Sequence, residues 1–74
     1  MFNITEKALN KIEEKYPEGS RVELISMDDP YSKLEAGDKG TVKFVDDAGT
    51  VHIAWDKGSS LGACVLDGDI IKRI

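Results

Sequence analysis

The stretch that decides the fold is GDKGTVKFVDDAGTVHIAWDKG, which runs from Gly37 to Gly58. Its two halves are rich in β-branched and aromatic residues, and Asp46-Asp47-Ala48-Gly49 between them is typical of a turn. The stretch therefore predicts a β-hairpin. The predicted pairs, from the turn outward, are Val45 with Thr50, Phe44 with Val51, Lys43 with His52, Val42 with Ile53, Thr41 with Ala54 and Gly40 with Trp55.

This register gives the hairpin one apolar face, because alternate residues of a strand point to opposite sides of a sheet. A slip by one residue would turn the apolar side chains toward water, so the pattern predicts the pairing as well as the strands. Gly40 leaves bare backbone that the ring of Trp55 can cover. The predicted buried face comprises Val42, Phe44, Val51, Ile53 and Trp55, and the outer face comprises Thr41, Lys43, His52 and Ala54.

Residues 3–16 predict one helix before the strands. Asn3 followed by Glu6 resembles a capping box, and Pro17 disfavours helical geometry at the residue before it. A single helix of this length is marginal in water, so its apolar side must lie on another surface. We expect that surface to be the strands, and the alternative is a helix that binds a partner. The apolar residues with helical spacing are Ala8, Leu9, Ile12 and Tyr16.

The rest of the chain predicts three further strands. They are Arg21–Ser26, Ser59–Val65 with Leu61 as its apolar anchor, and Ile70–Ile74. Turns are predicted at Asp56-Lys57-Gly58 and Leu66-Asp67-Gly68-Asp69, and a long loop is predicted at Met27–Gly37. Five short strands after one helix predict a mainly β fold, a small five-stranded antiparallel barrel. We expect a single domain with the helix in 1–18 packed on a barrel in 19–74.

Composition sets further expectations. The 74 residues carry 14 acidic and 10 basic side chains, a formal charge of −4, which repels a phosphate backbone at long range. The first residues lack the apolar core of a signal peptide, roughly 7 to 15 residues long, and no segment approaches the roughly 20 apolar residues of a membrane span. Cys64 is the only cysteine, so no internal disulfide can form. We expect a complete, soluble, cytoplasmic protein that does not enter a membrane.

Two runs of residues resemble a known family. They are RVELISMDDPYSKLEAGDKGTV, residues 21–42, and GTVHIAWDKGSSLG, residues 49–62. They are similar to the short bacterial, archaeal and phage proteins grouped as domain-of-unknown-function family 4314, over most of residues 19–74. The resemblance implies an SH3-like barrel and implies no function. Members often look like passengers of phages and mobile elements, which implies an accessory role. A looser similarity links the glycine-rich turn and strand to ribosomal KOW-type modules.

The sequence predicts no enzyme. His52 is the only histidine and is expected to be solvated on the outer face. Cys64 is expected to be a buried, inert thiol, because apolar surroundings raise the pKa of a thiol. Ser59 and Ser60 have no base nearby in sequence, and GSSLG lacks the strand-to-helix context of a nucleophile elbow. No phosphate-binding loop that ends in Lys-Ser or Lys-Thr is present.

Carboxylates are the only candidate metal ligands. Asp28-Asp29 and Asp46-Asp47 could approach one another in the fold. Calcium, however, takes roughly six to eight oxygen ligands, and the sequence lacks the twelve-residue loop that supplies them in an EF-hand. We expect neither a metal nor a cofactor.

Binding to a protein partner is the preferred interpretation. The long loop, the end of the Trp55 strand and the Gly58-Ser59-Ser60 turn are expected to meet at one rim of the barrel. An acidic accessory protein could also inhibit a host or defence protein by occupying a basic site on it. Tyr31 and Trp55 could each belong to the core or to the rim. The predicted contact residues are Asp28, Asp29, Tyr31, Trp55, Asp56, Ser59 and Ser60.

Two alternatives stay open. The first is a nucleic-acid-binding KOW-like barrel, which needs a cationic face with an aromatic residue for base stacking. The second is a structural homodimer formed through an open sheet edge or the helix stripe. The cations that would have to gather for the first alternative are Lys33, Lys39, Lys43, Lys57, Lys72 and Arg73.

Overall fold

A computed structural model describes residues 5–27 and 33–74, without the side chain of Asp67. One helix precedes a four-stranded antiparallel sheet with the strand order β3-β2-β1-β4. The elements are α1 (Glu6–Lys15), β1 (Arg21–Ser26), β2 (Lys39–Val45), β3 (Val51–Trp55), a short 3-10 helix (Val65–Asp67) and β4 (Ile70–Arg73). Among the residues described, no helix combines the length and the apolar character that crossing a membrane requires.

The prediction of a fifth strand at Ser59–Val65 is wrong. In this segment only Ala63 pairs with a strand, through an isolated bridge to Val51 with N–H···O distances of 2.8 and 3.0 Å. Leu61, the expected apolar anchor, is 37% exposed, whereas Ala63 is fully buried. The sheet of the described residues therefore has β3 and β4 as its edges, and strand pairing does not close it into the expected barrel.

The helix begins later than the sequence predicts. Its N-cap is Thr5, whose Oγ1 accepts a hydrogen bond from the backbone N–H of Ala8 at 3.2 Å. The predicted capping box at Asn3 and Glu6 is wrong, because it needs Glu6 at the third helical position and Glu6 is at the first. Asn3 itself is outside the described residues. The helix ends at the expected place, with Tyr16 as C-cap before Pro17.

The strands and turns outside Ser59–Val65 follow the prediction closely. β1 has the predicted bounds, and β4 ends one residue before the chain does. Asp56-Lys57-Gly58 forms the expected turn, with a hydrogen bond of 2.9 Å from the N–H of Gly58 to the carbonyl of Trp55 and a positive φ at Gly58. The turn predicted after Leu66 takes the form of the 3-10 helix followed by Gly68 in the left-handed region.

The open end of the hairpin has the predicted register. The pairs that match are Gly40 with Trp55, Thr41 with Ala54 and Val42 with Ile53. Lys43 is then an extra residue in β2, a β-bulge, so that Phe44 pairs with His52 and Val45 with Val51. Five residues, Asp46 to Thr50, now connect the strands where four were predicted.

The bulge reverses the orientation of the residues next to it. Phe44, predicted on the buried face, is 53% exposed, and that prediction is wrong. Val45 takes its place and packs half-buried against the core. The other predicted apolar residues of the hairpin are buried as expected.

The core lies between the sheet, the helix and the segment that contains Ala63. From α1, Ile12 and Tyr16 join it, and the hydroxyl of Tyr16 donates a hydrogen bond of 3.2 Å to the carbonyl of Ile71. Because of this bond, the hydroxyl group of the buried Tyr16 has a hydrogen-bond partner while the ring packs in the core. The core residues are Ile12, Tyr16, Val22, Leu24, Val42, Val51, Ile53, Trp55, Ala63 and Ile71.

Candidate functional site

The structure places the predicted rim residues in different surroundings. Asp28, Asp29 and Tyr31 lie outside the described residues. Trp55 is 3% exposed and belongs to the core. Its indole N–H donates a hydrogen bond of 2.8 Å to the carbonyl of Leu61. The Trp55 ring thus holds the 59–63 segment against the sheet and is not accessible to a partner in this conformation.

Asp56 is exposed, and Arg21 binds it. The two guanidinium nitrogens of Arg21 contact both carboxylate oxygens of Asp56, one of them at 2.8 Å, and the same guanidinium donates to Thr41 Oγ1 at 3.0 Å. The side-chain hydrogen bond from Arg21 lowers the pKa of Asp56. Asp56, directly after β3, therefore fixes the position of an arginine on β1, two strands away in the sheet. This is a structural role close to the predicted rim.

A second ion pair joins the same turn to the segment before β2. Lys57 Nζ lies 2.9 Å from Asp38 Oδ2 and donates to the carbonyl of Lys33 at 3.1 Å. The pKa of Asp38 is lowered, first by the hydrogen bond from the backbone N–H of Glu35 and then by the one from Lys57. Lys57, one of the cations considered for nucleic-acid binding, is therefore already engaged by a carboxylate.

Among the tyrosine, tryptophan and phenylalanine side chains that the structure describes, Phe44 is the most exposed, at 53%. It stacks on His52, with ring centroids 4.3 Å apart and an angle of 13° between the planes. His52 Nε2 lies 2.8 Å from Asp46 Oδ2. His52 is thus half-exposed and hydrogen-bonded, not simply solvated as the sequence predicts.

Asp46 also organises the turn. Its Oδ1 accepts hydrogen bonds of 3.0 Å from the backbone N–H groups of Ala48 and Thr50. The pKa of Asp46 is lowered, chiefly by the hydrogen bond with His52 and further by these two backbone donors. One carboxylate therefore fixes both the five-residue turn and the ring that supports Phe44.

Phe44 separates two grooves. We call the first the hairpin groove; it is mainly apolar and is lined by Lys43, Phe44, His52, Ile53, Ala54 and Ser60. We call the second the helix-end groove; it is lined by Glu13, Tyr16, Pro17, Glu18, Phe44 and Val45. Of the predicted contact residues that the structure describes, Ser60 is the one that borders these grooves. Sequence reasoning missed Phe44 as a surface residue, and the signal that could have found it is an aromatic residue across the ladder from the only histidine.

The described residues give little support for metal or thiol chemistry. Within them, no group of three or more His, Cys, Asp or Glu side chains could hold a metal ion. Cys64 is half-buried, less buried than predicted, and its Sγ lies 3.8 Å from Thr50 Oγ1. Its backbone N–H donates to Asp69 Oδ2 at 2.9 Å, a bond that holds the turn before β4.

Comparison with known proteins identifies a family. A family model described as a domain of unknown function (DUF4314) matches residues 5–74. No curated protein and no solved structure matches the chain. The matched range confirms the resemblance found in the sequence and extends it to include α1. The chain therefore belongs to the DUF4314 family.

Proposed function

We propose that this protein is a non-enzymatic protein-binding module whose contact surface is centred on Phe44. The observation that carries the proposal is a large aromatic side chain held in a fixed position on the surface. Aromatic residues are enriched at the centres of protein interfaces, where they provide much of the binding energy. The hairpin groove beside Phe44 adds an apolar surface with a few polar groups, the usual composition of a recognition site.

The position of Phe44 is supported on several sides. The bulge at Lys43 turns the ring outward, His52 stacks on it, and Asp46 holds His52. A side chain that is already ordered loses little conformational entropy when a partner binds. Bulges commonly re-aim a side chain near a functional site. The bulge, the His52 ring and the Asp46 carboxylate together hold the Phe44 ring on the surface, which supports a role for the ring there.

The proposal includes the SH3-like fold, the cytoplasmic location and the accessory role that the sequence analysis predicts. The fold is SH3-like, which the two β-bulges in β1 and β2 support because bulges bend and twist strands. The protein acts in the cytoplasm as an accessory protein of bacterial or mobile-element origin, and inhibition of a host or defence protein is one way in which it would act. Trp55, which the sequence leaves open as core or rim, is not part of the proposed surface, and Phe44 and Ser60 are.

Capture from a bacterial lysate tests the proposal. Immobilised wild type, Phe44→Ser and Ile70→Ser are compared by quantitative mass spectrometry. Ile70 is the matched control, because it is 52% exposed and lies on β4, at the opposite edge of the sheet from β3. We expect a protein that wild type and Ile70→Ser retain and that Phe44→Ser loses. If no captured protein depends on Phe44, the proposal is wrong.

The same experiment separates the alternatives. Salt-sensitive retention of RNA or DNA, without a protein that depends on Phe44, would favour the nucleic-acid-binding class, since phosphate contacts weaken steeply as salt rises. A self-association that Phe44→Ser abolishes in sedimentation runs at several concentrations would favour the homodimer. Either result would overturn the proposal of a heterologous protein partner.

A further inference from the structure

The helix-end groove differs in charge from the hairpin groove. Glu13 and Glu18 border it, both are exposed, and neither forms an ion pair with any side chain in the described part of the chain. Glu13 precedes and Glu18 follows Tyr16 and Pro17 at the end of the helix, and Phe44 also lines the groove. The groove thus combines an exposed aromatic ring with two carboxylates that have no cationic partner.

We propose that this groove receives an arginine side chain of the protein partner, an inference that rests on the proposed function. A cation over an aromatic ring is attracted by the quadrupole of the ring, and carboxylates at the rim add hydrogen-bond acceptors. His52 covers one face of the Phe44 ring, so a bound group must use the other face or the edge. The net charge of −4 adds a long-range attraction for a basic partner.

Arginine fits this groove better than lysine. Its guanidinium is planar, stacks on aromatic rings and is more weakly hydrated than an ammonium, and its several donors can serve two carboxylates at once. No lysine or arginine is among the described residues that line the groove. Lys15 Nζ lies over the ring of Tyr16, one of the lining residues, 5.5 Å from its centroid. Lys43 borders the adjoining surface with Glu18, Thr41 and Val42. The partner segment therefore carries an arginine next to an apolar residue, which would occupy the hairpin groove.

The test uses small probes that isolate the charge. The probes are N-acetyl-arginine amide and N-acetyl-citrulline amide, which have nearly the same shape but differ in charge. Each is titrated into nitrogen-15-labelled protein, and the backbone amide shifts are followed by NMR. The variants are Glu13→Gln/Glu18→Gln and, as a control with the same change in net charge, Glu6→Gln/Glu14→Gln on the same helix.

We expect the arginine probe to shift the amides of Glu13, Glu18 and Phe44 in wild type and in the control variant. Binding should weaken about threefold to tenfold in Glu13→Gln/Glu18→Gln and with the citrulline probe, from the usual size of exposed charge and cation–π contacts. Equal binding of both probes, or equal weakening by both double variants, would overturn the inference.

The outcome can be separated from that of the proposed function. Lysate capture that depends on Phe44 but is unchanged in Glu13→Gln/Glu18→Gln would refute the arginine groove and leave the protein-binding surface intact. Capture that is the same for wild type and Phe44→Ser would refute the proposed function, whatever the result with the probes. Capture lost in both Phe44→Ser and Glu13→Gln/Glu18→Gln, and kept in Glu6→Gln/Glu14→Gln, supports both.

Discussion

Gly40 is a position where the hairpin has no room for a side chain. A Cβ atom built there would lie 2.5 Å from Ile53 Cγ2, 2.9 Å from the carbonyl oxygen of Ala54 and 3.1 Å from the Cα of Trp55. Two of these atoms belong to the backbone of β3, and Ile53 is 1% exposed in the core. Gly40→Ala must therefore push β2 and β3 apart at the pair of Gly40 with Trp55, which the sequence predicts.

The size of the effect follows from two opposing contributions. Alanine restricts the unfolded chain, which stabilises a protein by about 0.4–1 kcal/mol where the folded backbone accepts it. Forcing a methyl group into a packed core costs about 1–3 kcal/mol. We expect a net loss of about 1–2 kcal/mol, which corresponds to a decrease in Tm of roughly 5–15 °C for a domain of this size.

Gly62→Ala is the matched control. A Cβ at Gly62 would meet Thr50 Cγ2 at 2.7 Å, while the nearest backbone atom, the carbonyl oxygen of Val51, is at 3.5 Å. A threonine side chain can turn away, so this substitution should cost clearly less than Gly40→Ala. Urea and thermal unfolding followed by the fluorescence of Trp55, the only tryptophan, measure both. A midpoint for Gly40→Ala equal to or above that of wild type would refute the packing described here.

Two further predictions concern the helix cap and the turn. Thr5→Ala should lower the free energy of unfolding in urea by about 1 kcal/mol through loss of the N-cap; a free energy of unfolding equal to that of wild type would contradict the cap assignment. Because the folded-state pKa of Asp46 is below its ordinary value of 3.8, its contribution to stability is present above that value and is lost as the pH falls through the lower folded pKa. Asp46→Asn should therefore reduce Tm at neutral pH and converge with wild type in strong acid; a gap in Tm that is the same at both pH values would contradict this.

Periodicity predicted the parts of the fold in which local pattern and long-range packing agree. The pairing of Gly40 with Trp55 and of Val42 with Ile53 needs only alternation and a bare backbone opposite a large ring. The same holds for β1, where Val22 and Leu24 alternate with polar neighbours and are almost fully buried. At these positions a one-residue error would expose large apolar side chains.

The bulge could not be predicted from alternation. A four-residue turn with a regular ladder and a five-residue turn with a bulge at Lys43 place the same Val42–Ile53 pair in register. The choice between them depends on side-chain hydrogen bonds from Asp46 to the backbone of Ala48 and Thr50 and to the His52 ring. Such contacts favour one turn over another by local geometry, which a hydrophobic pattern does not contain.

The missing fifth strand has a similar cause. The sequence around Leu61 has apolar residues at strand-like spacing, but the indole of Trp55 takes the Leu61 carbonyl that a ladder could use. The segment makes backbone hydrogen bonds with β3 at Ser59, whose carbonyl accepts from the N–H of Trp55 at 2.9 Å, and at Ala63, which pairs with Val51. The contact between Trp55 and Leu61 joins a side chain to a backbone carbonyl six residues further along the chain, and the spacing of apolar residues does not reveal it.

The exposure of Phe44 makes a last prediction that bears on function. Full burial of a phenylalanine contributes about 1.5–3 kcal/mol, a large part of the roughly 4–11 kcal/mol expected for 74 residues. The observed register forgoes about half of that contribution, since Phe44 is 53% exposed. The retained contacts include the stack on His52, worth about 0.5–1.5 kcal/mol. Phe44→Ser should therefore lower the free energy of unfolding in urea by about 1 kcal/mol while it abolishes partner capture. A loss near 3 kcal/mol would show that the ring belongs to the core in solution, and the surface on which the proposed function depends would not exist.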